Sequence, residues 1–186
     1  MGKIVVSQFI TLDGVMEDPG GSEGSPGGGW AFQFERGDEG NRFKLDEVMA
    51  SEALLLGRRT FEGFAEAWPS REGDFADKFN GMQKYVVSST LAEPQWNNSK
   101  VIRGNITSEI QALRDAPGGD VLVNGSNQLV SLLLENRLID ELRLMVYPIV
   151  LGAGKRLFPE GSRSSTLRLI ESRTAGETVI LIYAPK

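Results

Sequence analysis

Three places in the chain put an apolar run directly before a turn rich in glycine, hydroxyls or arginine. They are Leu54-Leu55-Leu56-Gly57-Arg58-Arg59-Thr60, Val121-Leu122-Val123-Asn124-Gly125-Ser126-Asn127 and Val86-Val87-Ser88-Ser89-Thr90. The first two run into helical patterns; after the third the helix is less definite. A helix that starts behind a strand presents unpaired N–H groups and the positive end of its dipole, so it holds anions. Glycine lets a pyrophosphate approach the backbone closely, and Arg58 and Arg59 can neutralise it with charge-assisted bonds. In an open α/β sheet ligands collect outside the carboxyl ends of the strands, where all three turns would meet. Any one such turn is usually a plain connection. Three of them point to a phosphate-bearing ligand.

The residues that could react with such a ligand form a short list. Among 186 residues there is no cysteine and no histidine. That excludes disulfides, thiolate nucleophiles, Cys/His zinc sites and every catalytic unit built on imidazole. Chemistry must run on carboxylates, Lys, Arg, Tyr, hydroxyls, backbone groups or a borrowed cofactor. With 20 basic and 25 acidic side chains the net charge is −5, so no basic excess exists to displace counterions from nucleic acid, and none is expected as a partner. No apolar run approaches the about 20 residues of a membrane span. Met1-Gly2-Lys3 leads straight into Ile4-Val5-Val6 without a signal-peptide layout, which predicts a cytoplasmic protein.

Other matches fail. Gly152-Ala153-Gly154-Lys155-Arg156 resembles part of a Walker A loop. It lacks the first glycine at the required spacing and has Arg where Ser or Thr would hold magnesium. No acidic cluster has calcium-loop spacing, and no metal is expected. Asp38-Glu39 and Asp46-Glu47 read as solvated helix faces.

The elements that must position these turns alternate between two periods. Ile4–Ile10, Ala53–Leu56, Tyr85–Ser88, Val101–Ile102 and Val121–Val123 are short apolar runs bounded by Gly, Asn or Ser, as buried strands are. Helical spacing covers Asn41–Ser51, Thr60–Trp68, Ser108–Ala116 and Asn127–Leu138. After Asp140, Leu142, Leu144 and Val146 alternate with Arg143, Met145 and Tyr147 as in a half-buried strand. Leu167–Thr174 and Thr178–Tyr183 flank the tight turn at Ala175–Glu177 and predict an antiparallel hairpin. The length suits one domain over 1–186 that buries roughly 70% of its unfolded surface. Strand–helix alternation followed by a strand-rich tail predicts a largely parallel α/β sheet with an antiparallel edge. Pro19–Gly29, with six glycines in eleven residues, predicts a mobile loop: a tolerated insertion or a pocket rim.

Residues in this order resemble the dihydrofolate reductase superfamily. Gly57-Arg58-Arg59-Thr60 looks like its G-R-x-T turn, Ser88-Ser89-Thr90 like its second nucleotide turn, and Gly125-Ser126 like its glycine-pair turn. Thr11-Leu12-Asp13-Gly14 and Tyr147–Lys155 bring the chain closer to a sister group. That group is the C-terminal reductase domain of bifunctional riboflavin biosynthesis proteins and its stand-alone relatives. The resemblance implies the three-layer dihydrofolate reductase-like fold, NADPH as cofactor, and hydride transfer to a pyrimidine, pteridine or ribosylamino small molecule. Carried over, Gly57, Arg58, Arg59 and Thr60 would hold cofactor phosphates. Ser88, Ser89 and Thr90 would surround the 2′-phosphate, with Gly125 and Ser126 under the pyrophosphate. Leu12, Asp13 and Gly14 would lie by the nicotinamide. Trp30, followed five residues later by Glu35, keeps the spacing of the substrate-binding pair. The proton would then come from Asp13, Glu35 or water. Dihydrofolate reductase proper and a noncatalytic nucleotide-binding domain of the same fold are the alternatives. The C-terminal strands would offer an apolar face for a homodimer.

Overall fold

A computed structural model describes residues 2–186. Eight strands form one sheet: β1 (Ile4–Thr11), β2 (Ser51–Gly57), β3 (Gln83–Val87), β4 (Ser99–Ile102), β5 (Asp120–Val123), β6 (Glu141–Tyr147), β7 (Leu167–Ala175) and β8 (Thr178–Pro185). Their order across the sheet is β4-β3-β2-β5-β1-β6-β8-β7. The first six pair in parallel, and β8 and β7 add an antiparallel hairpin to the β6 edge.

Among the described residues five α-helices cover the sheet: α1 (Gly37–Ala50), α2 (Arg58–Ala67), α3 (Asp74–Gly81), α4 (Ile106–Asp115) and α5 (Asn127–Glu135). The continuous apolar strands follow from burial on both faces. In β2, Ala53 and Leu55 join Ile110 of α4 and Leu129, Val130 and Leu133 of α5 in one core. Leu54 and Leu56 point the other way and meet Val48 of α1, Phe61 of α2 and Phe79 of α3. The three-layer architecture is thus written residue by residue along β2.

Helix α3 lies outside the expected elements. Its buried Ala76 and Phe79 sit on a helix of only eight residues that follows a polar stretch, so its apolar period is too short to stand out. Helix α1 starts four residues earlier than its apolar period suggests, at a left-handed glycine, Gly37.

One acidic pair departs from its expected place. Asp46 is exposed, but Glu47 is buried against β1. The Glu47 Oε1 accepts from the Lys44 ammonium and, at 2.8 Å, from the Ser7 hydroxyl. Lys44 Nζ also donates to Ser7 Oγ at 2.9 Å. Arg143 of β6 sits 3.7 Å from Glu47 Oε2. The correction has a physical reason: a buried carboxylate is tolerable when two cations and a hydroxyl surround it.

Candidate functional site

Because β1 to β6 run in parallel, the segments that leave them gather at one edge. There they enclose a cleft of about 890 Å³, near the upper end of the roughly 300–1,000 Å³ usual for small-molecule sites. Gly57, Arg58, Arg59 and Thr60 from the β2–α2 turn line it, with Ser88, Ser89 and Thr90 from the end of β3 and Ser126 from the β5–α5 turn. Gly125 is not part of the lining but is bonded to it through Gly57. The structure therefore brings together the residues of all three turns.

Two of the turns are locked to each other. Gly57 N–H donates to Gly125 O at 3.1 Å. A Cβ on Gly57 would lie 2.5 Å from Ser126 Oγ and 3.0 Å from Ser126 Cβ, so no larger residue lets the turns approach this closely. The Gly125–Ser126 peptide is cis. Helices α2 and α5 both begin here, and neither N-cap residue, Gly57 or Ser126, closes its helix with a side-chain hydrogen bond. By contrast Asn105 caps α4, accepting from Ser108 N–H. The first-turn N–H groups of α2 and α5 are left for solvent or an anion.

The third turn is not a helix start. Ser88 is buried, and its Oγ accepts from Thr90 N–H at 3.2 Å and Leu91 N–H at 3.0 Å. That hydroxyl shapes the turn, while Ser89 and Thr90 are exposed beside the cleft.

Sequence reasoning missed several cleft residues. Arg103 follows the last residue of β4, the one strand end to which no turn had been assigned, and its guanidinium holds the Leu91 and Ala92 carbonyls. The same rule that found the other turns applies to it. Met16, Glu17 and Glu23 arrive from the loop after β1, and Lys155 from the segment after β6. The glycine-rich stretch is a rim and not a featureless insertion. Asp18, 2% exposed, organises it: its carboxylate accepts from Glu23 and Ser25 N–H groups and its carbonyl from Gly21 and Gly29.

Leu12, Asp13 and Gly14 do not line the cleft. Leu12 N–H donates to Ile149 O, and Leu157 N–H to Gly14 O, both at 2.9 Å, so the segment after β6 straps this corner down. The Asp13 carboxylate accepts from the Thr11 hydroxyl at 2.6 Å, Leu151 N–H at 3.2 Å and Gly152 N–H at 2.8 Å. The Thr11 hydroxyl, helped by those two N–H groups, holds its pKa down at about 2 against the opposing effect of desolvation. These three donors favour the ionised carboxylate. Asp13 is a staple between two loops, and the structure places it outside the cleft lining that its expected role as proton source would need.

Trp30 and Glu35 are also corrected. Trp30 is fully buried, packs edge-on against Tyr147 at 5.3 Å and donates its indole N–H to Glu17 O. It is part of the core and does not line the cleft. Glu35 is exposed and is stapled by its backbone to the β7–β8 turn: its N–H donates to Glu177 Oε2 at 2.8 Å and its carbonyl accepts from Glu177 N–H at 2.7 Å. The five-residue spacing is present, but the first member packs inward and the second is held at the hairpin.

Residues 2–181 match the family described as the RibD C-terminal domain. Two Bacillus subtilis (strain 168) proteins, both described as uncharacterized, are similar along their length. YyaP is 29% identical over 97% of this chain and 93% of its own, and YwjB is 26% identical over 97% of each. Among solved structures, a Shewanella sp. PV-4 protein provisionally described as a riboflavin biosynthesis protein superposes with a TM-score of 0.77 at 21% identity, covering 99% of both chains. RibD of Acinetobacter baumannii gives 0.68 at 16% identity, and this chain spans 58% of it. Dihydrofolate reductase from Enterococcus faecalis, complexed with NADP(H), gives 0.60 at 18% identity over 100% of this chain and 97% of that one. The solved structures establish the dihydrofolate reductase fold, and the match over nearly the whole chain places this protein in the RibD C-terminal domain family.

Proposed function

We propose that this protein is an NADPH-dependent reductase of the cytoplasm that transfers hydride to a small pyrimidine, pteridine or ribosylamino compound. The observation that carries the proposal is the cleft itself. Two uncapped helix N-termini, Arg59 and the exposed Ser89 and Thr90 converge on one space sized for a small-molecule cofactor. Such a set of donors suits a pyrophosphate flanked by a second phosphate. Bound NADPH would supply the hydride. The chain would supply orientation and phosphate contacts, which is most of what hydride transfer asks of a protein. With Asp13 ionised and Glu35 held at the hairpin, the proton comes from solvent water. Fluorescence titration tests the cofactor: NADPH binds with a dissociation constant well below millimolar and more tightly than NADH. Absence of NADPH binding overturns the reading.

One observation favours a second reading. Neither carboxylate expected to supply a proton is placed to do so, as in a nucleotide-binding domain that retains the fold without turnover. NADPH oxidation assayed with dihydrofolate, pteridines and ribosylaminopyrimidines separates the two. Turnover of dihydrofolate alone would identify a dihydrofolate reductase proper, and binding without any turnover would identify the noncatalytic domain. We also propose a homodimer through the C-terminal hairpin, where Leu169 is 52% and Val179 38% exposed; light scattering reads the mass directly.

A further inference from the structure

The cleft contains four cationic side chains, Arg58, Arg59, Arg103 and Lys155, and two carboxylates, Glu17 and Glu23. Their pairings differ. Arg58 binds Glu62 one turn along its own helix at 3.1 Å, outside the cleft. Arg103 holds two backbone carbonyls. Among the described residues, Lys155 alone is paired with a carboxylate that also lines the cleft: its ammonium donates to Glu17 Oε1 and its backbone N–H to Glu17 Oε2 at 3.2 Å.

The turn that delivers Lys155 is built for this contact. Gly154 has φ of +119°, and a Cβ there would lie 2.8 Å from Val15 Cγ1 and 3.4 Å from Glu17 Oε2. Only glycine lets the chain lie this close to the loop after β1. Met16 N–H donates to Lys155 O at 2.9 Å, and Val15 bridges to Arg156. The backbone of Lys155 is therefore fixed beside the cleft whichever partner its ammonium takes. Gly152-Ala153-Gly154-Lys155 fails as a phosphate loop by its spacing, yet the fold carries its lysine to the phosphate-binding edge by another route.

We propose that Lys155 is a phosphate-binding residue of the cleft, held by Glu17 until the pyrophosphate of a dinucleotide replaces that carboxylate. This rests on the reading of the cleft as a dinucleotide site. The exchange is physically easy. The Lys155 side chain is 45% exposed, and half-exposed ion pairs are weak, whereas ammonium–phosphate bonds at a partly shielded site are stronger. Glu17 keeps the Lys155 backbone N–H when the ammonium leaves, so no carboxylate is stranded. The sign of the effect is distinctive: Glu17 opposes binding by occupying the lysine and by repelling the phosphate.

Calorimetric titration of NADPH and, separately, of inorganic pyrophosphate into the wild type and variants tests the assignment. Lys155→Met weakens both ligands about tenfold. Lys155→Arg keeps the charge and stays within about threefold of the wild type, and Glu17→Gln tightens both by about threefold or more. Melting midpoints close to the wild type's confirm that each variant is folded. NADPH and pyrophosphate affinities unchanged in both Lys155→Met and Glu17→Gln overturn the assignment, as does a wild type that binds neither ligand. A wild type that binds pyrophosphate with this pattern but not NADPH overturns the dinucleotide reading and leaves Lys155 a phosphate ligand.

Discussion

The middle of β1 and the carboxyl edge of the sheet handle charge in opposite ways. Under α1, Ser7, Lys44 and Glu47 are each buried and bonded to one another, with Arg143 completing the ring. At the carboxyl edge, Arg59 is exposed without an ion-pair partner among the described residues, and two helices start without side-chain caps. The first region pairs its charges with one another, so it contributes to architecture. The second leaves donors and positive charge open, which is why the proposed cofactor is assigned to it. Buried, paired charge and open charge carry different information, and the proposed site rests on the latter.

The closed region gives the largest expected effect. Glu47→Ala leaves Lys44 and Arg143 facing each other without their shared carboxylate and should lower stability by about 3–5 kcal/mol, read from the denaturation midpoint. Replacing the pair together, as Lys44→Met with Glu47→Leu, removes both charges and should restore most of that loss. NADPH affinity should stay at the wild-type value in every variant that folds. A loss below about 1 kcal/mol for Glu47→Ala would show that the ring is not closed, and the contrast between the regions would fail.

The open region should respond the other way round. Arg59→Ala should leave stability within about 0.5 kcal/mol of the wild type and weaken NADPH by about 1.5–3 kcal/mol. Arg58→Ala should cost less affinity, because Arg58 already shares its charge with Glu62 at 3.1 Å. If either arginine reaches the 2′-phosphate, its removal weakens NADH less than NADPH. Equal losses for the two arginines would mean that the Glu62 pair does not restrain Arg58.

This contrast also explains what was legible in the sequence. The turns at the strand ends were readable because phosphate binding, the role proposed for them, demands glycine, hydroxyls or arginine at a fixed place, the end of a strand. Burial on both faces made β2 and β5 continuous apolar runs, so the three layers were readable too. Residues whose roles depend on distant partners were not. Asp13 looks like a reactive acid until Leu151 and Gly152, far along the chain, supply its N–H donors. Glu47 looks solvated until β1 and β6 bring Ser7 and Arg143 to it. Trp30 and Glu35 keep a suggestive spacing, but nothing local fixes which way either points. Lys155 was dismissed on spacing within its own loop, and its place in the cleft is set by pairing with the loop after β1.

The smallest expected effect concerns Asp13 and is a change of slope with pH. Its folded pKa is depressed from the ordinary 3.8 to about 2, chiefly by the Thr11 hydroxyl and then by the Gly152 and Leu151 N–H groups. A depressed carboxyl pKa means that the unfolded chain binds the proton more readily than the folded one. The stability that Asp13 contributes is therefore fully present above about pH 4 and is lost as pH falls toward 2. Asp13→Asn removes the charge and turns an amide N–H toward donors, so its melting midpoint should lie below the wild type's at neutral pH. The gap between the two should shrink steadily on acidification through this window. A gap that stays constant down to pH 2 would mean that Asp13 is not held as an ionised staple. In that case the loop after β1 would be tied to the strap after β6 by its backbone bonds and the Glu17–Lys155 pair, and Asp13 would return as a candidate proton source.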